Sequence, residues 1–192
     1  MSQFQNQTTN QTLIPRQTLE SKFAKSRHNI LLVLIFSVIN IILLVTNSDT
    51  YFLFSAYIPY MFADFGMLLS GSYPEDYYVL MEMTDLEFLG MRFLWIMMAA
   101  AAVVLVLYLL SWILSKKNRT GWMIFALVMI CLDTVLLVLM CGISMDLIVD
   151  YLFHGWMIVS LSIGVSAGCK MKKLPEEPKI VEPIPAELQS GQ

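Results

Sequence analysis

The chain has 192 residues, 57% of them hydrophobic and 14% charged, with a mean hydropathy of +0.67. A soluble domain of this length cannot bury that much apolar surface, so the composition points to a polytopic membrane protein. The net charge of −3 leaves no basic excess to neutralise phosphates, so nucleic acid is not an expected partner.

In chain order, the Gln-, Asn- and Thr-rich start lacks the apolar residues needed to pack, and about the first 19 residues are expected to be disordered. Residues 17–29 read as a short juxtamembrane helix that sets Lys22, Lys25 and Arg27 on anionic headgroups. The whole segment 1–29 is assigned to the cytoplasm. A cleaved signal peptide is not expected, because the polar lead is too long for an n-region and no small-x-small site follows the apolar run.

The transmembrane domain covers residues 30–169, with spans at 30–46, 93–114, 122–141 and 151–169. Each approaches the roughly 20 apolar residues that cross a hydrocarbon core about 30 Å thick. Trp95, Trp112, Trp122 and Trp156 lie near span ends, where an indole keeps its ring in the acyl boundary and its N–H among headgroups. Between the first two spans, loop 47–92 is acidic and aromatic. Its stretch 51–70 is apolar enough to suggest a fifth span, but Pro59 and Asp64 interrupt it. A crossing there would also put Lys116, Lys117 and Arg119 outside. The stretch is therefore expected to be an interfacial or re-entrant helix on the outer face. The fold class that results is all-α, a four-transmembrane-helix bundle with one such extra helix. Residues 170–192, rich in Pro and Glu after the basic Lys170–Lys173, are expected to be a disordered cytoplasmic tail.

Eleven of the twelve basic residues flank the same side: Arg16, Lys22, Lys25 and Arg27; Lys116, Lys117 and Arg119; Lys170, Lys172, Lys173 and Lys179. Residues 48–90 and 142–150 hold nine acids and no Lys or Arg. The positive-inside rule makes both termini cytoplasmic. On that topology the sequons at Asn6, Asn10 and Asn118 fall inside the cell and are discarded as glycosylation sites. Cys131, Cys141 and Cys169 lie at different depths and form no expected disulfide framework.

Asp133 stands alone as an acid within a span, where a charge is costly without a partner. At about 1.5 Å per residue it lies about 16 Å deep, with Asn40 at about 15 Å and Ser160 at about 13–14 Å. These three residues are expected to form a polar cluster at the midplane, joining helices in one reading and serving a proton or cation path in the other. Ala99 to Ala102 and the pattern Ser160-x-x-x-Gly164-x-x-x-Gly168 offer small-residue surfaces for close helix packing, with Ala99, Ala102, Gly164 and Gly168 as the packing positions. At the outer mouth, Asp146, Asp150 and His154 recur at i, i+4, i+8 near Arg92. That spacing suits a divalent ion only weakly, and helix-end acids beside Arg92 explain it as well. The metal question stays open. No cofactor is expected, and the absence of G-x-S-x-G and H-E-x-x-H leans away from an enzyme. The methionines, scattered over every span, read as core filling.

The stretch KSRHNILLVLIFSVINIILLVTNSDTYFLFSAYIPY, residues 25–60, resembles the start of uncharacterised small four-span integral membrane proteins of Gram-positive bacteria. The resemblance covers the first span and the start of the outer loop. It implies a bacterial plasma membrane and no particular activity. The expected function is that of an accessory or scaffold protein acting on the lipid bilayer side through helix–helix or outer-loop contacts, with a membrane-protein partner or as a homo-oligomer. The alternative is a small ion- or proton-coupled transporter or channel subunit using Asp133 and Asn40.

Overall fold

The computed structural model describes residues 2–174 apart from 49 and 84, with side chains from Arg16 onward. It is helical, with no strand among the described residues: α1 Ser2–Val45, α2 Tyr57–Ser70, α3 Glu75–Leu80, α4 Met91–Leu114, α5 Thr120–Cys141 and α6 Ile148–Met171. Four of these helices are long and apolar enough to cross a membrane, over 16–45, 91–114, 120–141 and 148–171. Each extends beyond the span expected from hydropathy, since a helix does not stop where its apolar run does.

The largest extension is in α1. Residues 17–29 are its continuous lead-in, and the helix begins at Ser2, so it runs through the N-terminal stretch expected to be disordered. Extending an existing helix fixes one residue per new hydrogen bond, whereas starting one is costly, so polar residues can join a nucleated helix. Of the tail 170–192 expected to be disordered, Lys170 and Met171 close α6, and 175–192 lie outside the described residues.

The spanning helices pack in a ring, α1 on α6, α6 on α5, α5 on α4 and α4 back on α1. Toward one end lie the lead-in of α1, the turn 115–119 and Lys170–Lys173; this is the basic end. The other, acidic end carries the loop between α1 and α4. α6 approaches its neighbours closely through glycines. A Cβ on Gly164 would come within 2.5 Å of Ser26 Cβ on α1, and one on Gly168 within 2.5 Å of Thr120 Oγ1 on α5. Larger side chains at those positions would push the helices apart. In α4 the packing residue is Ala101, which is buried, while Ala99 and Ala102 lie on the exposed side. A run of four alanines does not say which of them faces inward, because the helix turns 100° per residue.

The outward surface is apolar. Val103 and Val106 on α4, Leu132 and Val135 on α5, and Leu152 and Val159 on α6 are all exposed, as a lipid-facing surface requires.

α2 packs chiefly on α4, and also on α1 and α5. Gly66 permits this, since a Cβ there would meet Met97 Cβ at 3.0 Å. The helix stops at Gly71, whose φ of 78° is open to glycine at little cost, and the N–H of Ser72 bonds back to the Met67 carbonyl at 3.0 Å. Leu89 N–H then bonds to the Leu69 carbonyl at 2.8 Å, which ties the end of the loop to the top of α2 just before α4 begins.

Candidate functional site

The start of α2 lies inside the bundle, and the polar side chains of the spans converge on it. A helix leaves its first N–H groups without intrahelical partners, and inside a membrane bundle each must be satisfied by something else. Here the Ala56 N–H donates to Ser37 Oγ of α1 at 2.8 Å. The Tyr57 N–H donates to Asp133 Oδ2 at 2.8 Å, and the Ile58 N–H to Asp133 Oδ1 at 2.7 Å. Pro59 follows, buried, with no N–H to satisfy. Every donor at this helix start is accounted for, and α2 has no cap from its own sequence. Asp133, on another helix and 0% exposed, acts as the cap. Its carboxyl group also faces the positive end of the α2 dipole.

The chain that leads into α2 is held in the same way. Asn40 Nδ2 donates to the Phe52 carbonyl at 2.6 Å and to Ser55 Oγ at 2.8 Å, while Asn40 Oδ1 accepts from the Phe52 N–H at 2.8 Å. One amide thus replaces both backbone partners that Phe52 lacks. Tyr51 Oη lies 3.0 Å from Ser55 Oγ, and burial pushes the Tyr51 hydroxyl up to about 12, so it stays protonated. Phe54 adopts φ 76° and sets its ring edge-on to Phe153 of α6, with centroids 4.7 Å apart.

α6 contributes the remaining partner. His154, 2% exposed, places Nε2 at 2.9 Å from Asp133 Oδ2 and Nδ1 at 2.8 Å from the Asp150 carbonyl oxygen. A carbonyl only accepts, so Nδ1 carries a hydrogen. The contact between Nε2 and Oδ2 therefore holds one proton, on the imidazole or on the carboxyl, and the pair is neutral overall in both forms. The nearby Tyr108 hydroxyl of α4 is buried and has no hydrogen-bond partner among the described residues.

Of the three residues expected at the midplane, Asn40 and Asp133 both grip the segment 52–58, and Ser160 is elsewhere. Ser160 Oγ accepts from Asn29 Nδ2 at 2.6 Å, and its carbonyl accepts from Ser26 Oγ at 2.7 Å. The reason is helix offset. Thr120 meets Gly168, and thirteen residues along α5 from Thr120, about 20 Å, lead to Asp133. Fourteen residues back along α6 from Gly168, about 21 Å, lead to His154. Ser160 lies about 9 Å short of that level.

His154 is thus an interior residue, joined to the outer-mouth group through the Asp150 carbonyl oxygen. Asp146 and Arg92 are exposed, Asp150 is mostly buried, and Arg92 makes no ion pair among the described residues. Among the described residues no three His, Cys, Asp or Glu side chains are grouped so as to hold a metal ion. Ser37 and His154 had a sequence signal, namely helical spacing from Asn40 (i, i−3) and a lone intramembrane imidazole. The backbone groups they serve had none.

α2 therefore rises from a point eight residues, about 12 Å, below the last residue of α5. Non-helical backbone inside the bundle is tolerated there because neighbouring helices satisfy it. Comparison with known protein families, with curated proteins and with solved structures gives no match.

Proposed function

We propose that the protein is an accessory or scaffold protein of the plasma membrane, inserted with both termini in the cytoplasm, that presents its acidic, aromatic loop region to a membrane-protein partner. The observation that carries this reading is where the intramembrane polar groups are spent. Asp133, Asn40 and Ser37 direct their hydrogen bonds to the segment 52–58, which fixes the loop region on the bundle. A rigid platform is what a binding surface needs, since loops ordered in advance lose less entropy on association. The test is purification from native membranes in mild detergent, with the mass of the complex and of its components. A stoichiometric second protein, released when exposed loop residues such as Leu80 and Phe88 are changed to Ser, is the expected result. Isolation of the protein alone, as monomer or homo-oligomer, speaks against it.

The second reading, a proton-coupled transporter or channel subunit, is favoured by one feature: the single proton held between Asp133 and His154. It predicts pH-driven flux in proteoliposomes that His154→Gln abolishes while the fold persists. Absence of flux in the unmodified protein removes it.

Topology has its own check. Cys141 and Cys169 are both exposed, at the acidic and basic ends respectively. In intact cells a membrane-impermeant thiol reagent is expected to label Cys141 and spare Cys169, and the reverse pattern would invert the insertion.

A further inference from the structure

At the basic end, a cavity of about 570 Å³ opens between the start of α5, the end of α6 and the lead-in of α1. Arg16, Lys117, Arg119 and Lys172 line it, and among the described residues no acidic side chain does. Arg16 pairs with Glu20 at 3.5 Å, whereas Lys117, Arg119 and Lys172 make no ion pair among the described residues. Cations gathered around one cavity repel each other, and an anion between them relieves that repulsion. A further feature favours the same sign of charge. The first turn of α5 contains no acid and has no side-chain cap, so its N–H groups and positive dipole end face this region. The chain as a whole is acidic, so this concentration of positive charge is local.

The rest of the lining says what carries the anion. Trp122 and Met171 form an apolar wall beside the cations, at the level where two spanning helices end. A soluble anion has no use for that wall, while a phospholipid places its phosphate and its glycerol–acyl junction at this boundary. We propose that this cavity binds the phosphate of an anionic phospholipid, with Lys117, Arg119 and Lys172 on the phosphate oxygens and Trp122 against the lipid backbone. The inference rests on membrane insertion alone and is independent of the accessory reading.

Native mass spectrometry of the full chain released from detergent tests it, with phosphatidylglycerol, phosphatidylcholine and inorganic phosphate as probes. The expected result is retained phosphatidylglycerol in preference to phosphatidylcholine. Lys117→Gln/Arg119→Gln should lower that retention about thirtyfold, given the usual contribution of each of the two surface cations to anionic lipid binding. The charge-matched control Lys170→Gln/Lys173→Gln, at the same end but outside the cavity lining, should keep it. A thermal midpoint and circular dichroism spectrum unchanged from the parent show that both variants fold. Equal loss in the two variants would mean diffuse attraction by net charge and would overturn the site. Displacement of the lipid by millimolar inorganic phosphate at constant ionic strength would assign the cavity to a soluble phosphate and overturn the lipid. Equal retention of both lipids would also overturn it.

Discussion

Toward the basic end, Ser26, Asn29 and Ser160 join α1 to α6, two helices whose own backbones are already hydrogen-bonded. Toward the acidic end, Ser37, Asn40 and Asp133 face a stretch of backbone that has left helical geometry. The side chains are of similar kinds, but their jobs differ. In the first cluster a lost side chain removes one contact between helices that remain satisfied. In the second it strands backbone groups inside the bundle, where no water stands ready to replace it. Burial of an unpaired polar group is what makes a hydrogen bond costly to lose.

That contrast ranks the substitutions. The largest effect is expected for Asp133→Ala, which strands the Tyr57 and Ile58 N–H groups and the Nε2 of His154 together. A loss of about 3–5 kcal/mol is expected, seen as a fall in the thermal or denaturant midpoint in detergent. Asn40→Leu follows, at about 2–3 kcal/mol, because Phe52 loses partners for both its N–H and its carbonyl. Limited proteolysis should then cut first near residues 51–56. Gly164→Ala acts through the other cluster by steric means, setting a Cβ against Ser26, and about 1–3 kcal/mol is expected unless α1 and α6 separate. Ser160→Ala is the smallest, at about 0.6 kcal/mol, the typical worth of a polar contact between satisfied membrane helices. If Ser160→Ala proved as damaging as Asp133→Ala, the distinction between the clusters would fail.

The reach of the sequence divides along the same line. Four apolar runs, the punctuating Pro59 and Asp64, and the segregation of Lys and Arg were enough to read four spans and a helix that does not cross. Asp133 and Asn40 were legible as intramembrane polar residues because nothing apolar explains them. Their partners were not legible, since the groups they bind are peptide N–H and C=O groups that every residue carries. Ser160 was grouped with them on counted depth, but helices that start at different levels make such counts uncertain by more than a turn. His154 was assigned to the mouth because it recurs at helical spacing from Asp146 and Asp150, whereas Thr120 against Gly168 sets the register that brings it to Asp133. Composition marked Ala99–Ala102 as a packing surface, and only the rotation of α4 selects Ala101.

The central claim is that a carboxylate on α5 holds the start of α2 inside the bundle. Hydrogen–deuterium exchange over the peptide 51–60, comparing the unmodified protein with Asp133→Asn in the same detergent, tests it most directly. Asn keeps one acceptor oxygen and loses the second, so one of the two N–H groups at Tyr57 and Ile58 goes unpaired. The account predicts that protection falls in 51–60 while the 120–130 stretch of α5 stays protected. Unchanged protection across 51–60 would contradict it, and the buried aspartate would then need another purpose.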